Sequence, residues 1–181
     1  AIGNVSLPIH PSMRKRMENL SGNDSFAIGK VPYTSTKGLK ETRNAFLKAI
    51  SALDIDVSNL FVSITDGGSS SMEIMLLGVC GPSSKRPILL LDPSYTNYLQ
   101  FCKRLDIPVL SIDRKLREDG IFATLSLSKI LDMIKKHNPA ALVIIPYDNP
   151  TGQFLNQNII NKIAEICIEN KVWLVSDEAY R

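Results

Sequence analysis

This sequence is poor in cysteine and histidine, holds a single tryptophan and lacks any long apolar run. Each shortage excludes something. The three cysteines, Cys80, Cys102 and Cys167, are odd in number and match neither a disulfide framework nor a zinc motif. All three sit in apolar, helix-like patterns, which reads as reduced, buried thiols in a cytoplasmic protein. His10 lies between Ile9 and Pro11, and His137 closes a segment after Lys135 and Lys136; both read as structural. No metal site is expected. No run nears the roughly 20 apolar residues that span a bilayer, and no signal peptide is visible, so no membrane role is expected. A net charge of +3 is too small and scattered to argue for nucleic acid. Its densest basic patch, Arg14-Lys15-Arg16, reads as a solvated helix face. The chain opens Ala1-Ile2-Gly3-Asn4 rather than on Met, which suggests a piece cut from a longer protein.

What is present is an ordinary globular composition, 44% hydrophobic and 22% charged over 181 residues, enough for one good core or two small ones. Short apolar runs alternate with amphipathic segments. The runs are "LFVSIT" (60–65), "PILLLD" (87–92), "IPVLSI" (107–112), "ALVIIP" (141–146) and "VWLVSD" (172–177). Runs apolar on both faces suit parallel strands covered by helices, and the last reads as a central strand. Helical periodicity marks 39–53, 126–137 and 157–170, the last with Asn156 or Asn158 as N-cap; 71–80 and 95–105 are shorter candidates. The alternation predicts a three-layer α/β/α fold with a mostly parallel sheet. Residues 1–32, rich in Pro, Gly, Ser and Asn, read as an extended lead-in with a short helix over 12–20.

Ligands of open α/β sheets sit beyond the carboxyl ends of the strands. Every run but "IPVLSI" is followed there by a polar or aromatic cluster. "DGGSSSME" puts two glycines and three serines at a helix start. That is either a turn with a serine cap or an anion cradle. It is neither a Walker loop nor a G-x-G-x-x-G turn. "PSYTNY" places Tyr95 and Tyr98 on one face of a first helical turn, as core packing or as a stacking surface for an aromatic ligand. "YDNPTGQ" is turn chemistry, with Asn149 a donor just past the strand and Asn149–Pro150 a candidate cis peptide. Asp177 is the costly residue. A carboxylate at the end of a buried strand needs a helix to cap or a cationic partner.

Taken in this order, "YTSTKGLKETRNAF", "TDGGSSS", "PSYTNY", "NPTG" and "VSDEAYR" resemble the large domain of fold-type I, pyridoxal-phosphate-dependent class I/II aminotransferases. The resemblance covers nearly the whole chain. It implies residues 1–32 as an N-terminal arm and 33–181 as a partial cofactor-binding large domain. The rest of that domain and the small domain are expected elsewhere. It also implies that Asp177 pairs with the protonated pyridine nitrogen, and that Asn149 and Tyr180 bond the ring's phenolic oxygen. Tyr95 stacks on the ring, while Gly68, Ser69 and Ser70 hold the phosphate. Tyr33 reaches the phosphate of a neighbouring subunit, which makes the protein a homodimer. Gly3 lines the substrate carboxylate pocket. Amino acids and 2-oxo acids are the implied substrates, with pyridoxal 5′-phosphate as cofactor.

The Schiff-base lysine of that family is expected after Arg181. "SLSK", Ser126 to Lys129, does not supply it: it precedes "NPTG" and reads as a serine N-cap with an exposed lysine. The 181 residues alone are therefore expected to be inactive. Three further readings stay open: a C–S lyase or decarboxylase of the same fold, a non-catalytic ligand-binding module built on it, and a bare nucleotide-binding α/β domain.

Overall fold

A computed structural model describes residues 7–20 and 33–181, in two compact units divided between Ile64 and Thr65. Gly3 and most of the predicted lead-in lie outside the described residues.

The first unit contributes α1 (Pro11–Leu20) and α2 (Lys40–Ser51). His10 starts α1: its carbonyl accepts from the Met13 and Arg14 amides, and its Nδ1 lies 2.7 Å from Ser12 Oγ. Arg14 pairs with Glu18 along the exposed surface, one turn on. The predicted strand at 60–65 is not formed. Among the described residues no strand pairs with it, and Phe61 is 99% exposed. β-branched composition favours a strand only where a ladder partner and a covering layer exist. Within the first unit its backbone is tied instead by isolated bonds, from the Leu60 amide to the Val57 carbonyl and from the Ile64 amide to the Lys37 carbonyl (both 3.1 Å). Gly38 sits there at φ +86°, and a Cβ on it would approach Ile64 Cβ to 2.6 Å.

The second unit is a three-layer sandwich. Its elements are α3 (Gly67–Val79), β1 (Ile88–Asp92), α4 (Asn97–Arg104), β2 (Val109–Asp113), α5 (Leu127–His137), β3 (Ala141–Ile144), α6 (Gln157–Glu169) and β4 (Trp173–Ser176). All pairings are parallel, in the order β2-β1-β3-β4. The strands' side chains alternate between two cores. Leu89, Leu91, Leu142 and Ile144 pack with Ile130 and Ile134 of α5 and Ile163 and Cys167 of α6. Ile88, Leu90, Ala141 and Val143 pack on the other side with Leu76 of α3 and Tyr98 and Cys102 of α4.

Two of these helices, α5 and α6, begin where a side chain satisfies a first-turn amide. Ser126 Oγ accepts from the Lys129 amide to start α5, with Lys129 exposed, and Asn156 Oδ1 accepts from the Ile159 amide to start α6. β4 departs from expectation. It is an edge strand of the described sheet, with Trp173 65% exposed. An apolar run fits an interior strand and a half-covered edge equally well, so composition alone does not choose. The three cysteines are free, with Cys102 and Cys167 buried and Cys80 partly so. Burial pushes the Cys102 and Cys167 thiols up to about 11, Cys102 with help from Cys80. No helix among the described residues is long and apolar enough to cross a membrane.

Candidate functional site

The order β2-β1-β3-β4 reverses between β1 and β3. At such a switch point the connections leave in opposite directions, and a crevice opens beyond the strand ends. The segments after β1, β3 and β4 meet the start of α3 there. A cavity of about 250 Å³ is lined by Gly68, Ser69 and Met72 of α3, Tyr95 after β1, Ile145 and Asn149 after β3, and Asp177, Ala179 and Tyr180 after β4.

Asp177 is held without a cation. Its amide continues the ladder to the Ile144 carbonyl (2.9 Å). One carboxylate oxygen accepts from the Ala179 amide (3.1 Å) and the other from the Tyr98 hydroxyl (3.0 Å). Residues 179 and 180 form a turn, and among the described residues the carboxylate caps no helix. Tyr98 is 1% exposed, and its phenol is pushed well above its ordinary range by burial first and by the Asp177 charge second. It therefore stays a neutral donor. Among the described residues no cation pairs with Asp177, which leaves a net negative charge on the pocket wall.

α3 carries the opposite polarity. Gly67 takes φ +78° and turns the chain into the helix. Asp66, at the N-cap, makes no side-chain capping bond. The Gly68 and Ser69 amides lie in the first turn, where intrahelical acceptors do not exist, at the positive end of the helix dipole. Ser70 lies outside the cavity lining, and its hydroxyl donates to the Asp66 carbonyl (3.2 Å).

Tyr95 and Tyr98 do not share a face. Tyr95 precedes α4, lines the cavity and accepts from Asn97 Nδ2 (3.0 Å), whereas Tyr98 turns into the core. The Asn149 side chain makes no hydrogen bond among the described residues, and the Asn149–Pro150 peptide is cis. Tyr180 is 62% exposed at the rim. Tyr33 belongs to the other unit and is fully exposed. Gly3 lies outside the described residues. The structure thus brings Gly68, Ser69, Tyr95, Asn149, Asp177 and Tyr180 to one cavity.

Sequence reasoning missed two features. The Tyr98–Asp177 bond spans 79 positions and leaves no local signal. A buried ion pair beside Asn149, Arg114 to Asp148, was equally unannounced. Only the cost of placing an acid before "NPTG" hinted at a partner. Among the described residues no cluster of His, Cys, Asp or Glu could hold a metal ion.

The arrangement fits a planar ligand that is cationic at one end, anionic at another and aromatic between. A carboxylate without a cation, free helix amides and a tyrosine wall supply those contacts. Comparison with known proteins points the same way. The model of the family described as aminotransferase class I and II matches residues 13–181. An aspartate aminotransferase of Sulfurisphaera tokodaii is 28% identical over 179 residues, which are 99% of this chain and 43% of that protein. Among solved structures, a Thermus thermophilus aspartate aminotransferase mutant superposes with TM-score 0.79 at 19% identity, covering 98% of this chain and 46% of that one. Cystalysin from Treponema denticola, which contains pyridoxal 5′-phosphate, gives 0.72 at 16%, covering 98% and 43%. The chain spans less than half the length of each.

Proposed function

Because this chain belongs to the aminotransferase class I and II family, we propose that the full-length protein uses pyridoxal 5′-phosphate to transfer an amino group between an amino acid and a 2-oxo acid. The observation that carries this is a single cavity holding both an unneutralised carboxylate, Asp177, and the free first-turn amides of α3. The aspartate aminotransferase resemblance favours transfer over the lyase and decarboxylase readings, since ring-holding contacts alone serve all three.

When bound, the cofactor supplies an electron sink for the carbanion left at the substrate α-carbon. The residues of this chain then have distinct tasks. Asp177 would hold a proton on the pyridine nitrogen, because a neighbouring carboxylate favours the cationic form. Tyr98 and the Ala179 amide fix the two carboxylate oxygens for that task. Asn149 and Tyr180 would donate to the ring's phenolic oxygen, and Tyr95 would supply an aromatic wall for the ring. Gly68 and Ser69 would take the phosphate through backbone and hydroxyl donors. Ser70 would join them by releasing the Asp66 carbonyl. Tyr33, free on its surface, would serve the phosphate of a second subunit in a homodimer, and Gly3 would line the substrate carboxylate pocket. Residues 33–181 would then be part of a cofactor-binding domain, with 1–32 as its arm. Three free thiols suit a cytoplasmic setting.

Asp177→Ala in the full-length protein tests this reading. Turnover on a panel of amino acids and 2-oxo acids should fall by orders of magnitude, with the fold retained and stability lowered by only about 1–3 kcal/mol, the cost of leaving the buried Tyr98 hydroxyl without its acceptor. Near-normal turnover in that variant would sink the assignment.

A further inference from the structure

Arg114 follows β2 and reaches under two loops that line the cavity. Its side chain is 7% exposed, and that of its partner Asp148 is 5% exposed. Arg114 Nη1 donates to Asp148 Oδ2 at 2.5 Å. The rest of the guanidinium binds the end of β1: Nε donates to the Asp92 carbonyl (3.3 Å), and Nη2 to the carbonyls of Leu91 (3.1 Å) and Pro93 (2.6 Å). The Arg114 amide also donates to Asp92 (2.8 Å). One planar fork thus gathers three successive carbonyls two residues before Tyr95. Asp148 in turn accepts from the Thr151 hydroxyl, and its backbone closes the turn through Gly152 and Gln153. That turn carries Asn149.

We propose that the Arg114–Asp148 pair is the positioning device of the cavity, fixing the Asn149 loop against the Tyr95 loop and so setting how a pyridine ring is gripped. The proposal rests on the cofactor reading above. It does not follow from burial alone. A buried pair replaced by apolar groups of similar size often leaves stability unharmed, so stability is weak grounds for an arginine here. Geometry is stronger. Nothing but a guanidinium offers donors in a rigid plane to three carbonyls and a carboxylate together, and a lysine ammonium could not span them. Neither side chain lines the cavity, so both act through Tyr95 and Asn149.

The test uses the full-length protein stripped of cofactor. Its probes are pyridoxine 5′-phosphate, which has no aldehyde to react with stray lysines, and inorganic phosphate. Arg114→Met should weaken pyridoxine 5′-phosphate by about tenfold to a hundredfold, as small misplacements of positioned groups do. It should also cut the dichroism induced in the ring's absorption band. Inorganic phosphate, held by α3 amides outside the clamp, should bind as before. Arg114→Met with Asp148→Leu should regain the melting temperature without regaining ring affinity or dichroism. Arg114→Lys, which keeps the charge and loses the fork, should fall between. Equal loss for both probes, or full ring affinity in the double variant, would overturn the positioning role. If the unsubstituted protein binds inorganic phosphate but gains nothing from the pyridoxine ring, the cofactor reading itself fails and the proposal falls with it.

Discussion

Asp148 follows β3 and Asp177 follows β4, one strand over in the same parallel sheet. Both are acids at the carboxyl end of an apolar strand, in motifs that look alike on paper. Their surroundings differ in kind. Asp148 is sealed against Arg114, so its charge is cancelled where it sits. Asp177 is held by a phenol and an amide, both neutral donors, so its charge is oriented but not cancelled. A carboxylate that has found a cation is a strut. One that is hydrogen-bonded without a cation, on the wall of a cavity, keeps its attraction for a cationic ligand.

Neutralising each acid in turn should break the comparison most clearly. Asp177→Asn keeps the shape and removes the charge that holds a proton on a ring nitrogen. Turnover of the full-length protein should fall by roughly a hundredfold or more, the scale of losing one preorganised charge at the reacting group. Its thermal midpoint should hardly move. Asp148→Asn should do the reverse. It strands the buried Arg114 guanidinium, and removing one partner of such a pair costs about 3–5 kcal/mol. Urea unfolding would read that loss. Two variants with the same profile would erase the distinction between strut and site.

Much of this contrast was hidden in the sequence for a physical reason. The local devices were legible: Ser126 and Asn156 as caps, Lys129 as an exposed lysine, β1 and β3 as strands apolar on both faces. They are written within a few residues of where they act. "VSDEAYR" and "NPTG" marked the loops that reach the cavity. What decided the character of each acid was a partner far along the chain, Tyr98 for one and Arg114 for the other. Neither spacing nor composition reports a contact across 79 or 34 positions. The segment 60–65 failed in the opposite direction. Its own residues favour a strand, but a ladder needs a second strand, and none of the described residues supplies one.

Tyr98→Phe sharpens the comparison at smaller cost. It removes a single neutral donor from Asp177 and keeps the ring in the core. The loss of stability should be about 1.5–3 kcal/mol, the usual net worth of a hydrogen bond to a charged group. The larger consequence should be a weaker hold on the probe pyridoxine 5′-phosphate, because the carboxylate is freed to turn. Equal affinity in Tyr98→Phe and the parent would show that the Ala179 amide suffices to aim it.

Cys102 and Cys167 extend the contrast to groups that burial keeps neutral, Cys102 with a smaller contribution from Cys80. Their thiols are raised from the ordinary 9.0 to about 11. The direction sets the sign. Between those values the unfolded chain has lost the protons while the folded chain keeps them, so folding binds protons and stability falls as pH rises. The contribution is complete below pH 9 and is lost on the way to pH 11. Urea midpoints at intervals across that range should decline, and Cys102→Ala with Cys167→Ala should flatten the decline relative to its own value at pH 8. The thiols sit one in each core, on opposite faces of the sheet. An undiminished slope in the double variant would assign the alkaline loss to other groups and leave burial, by itself, without a measurable share.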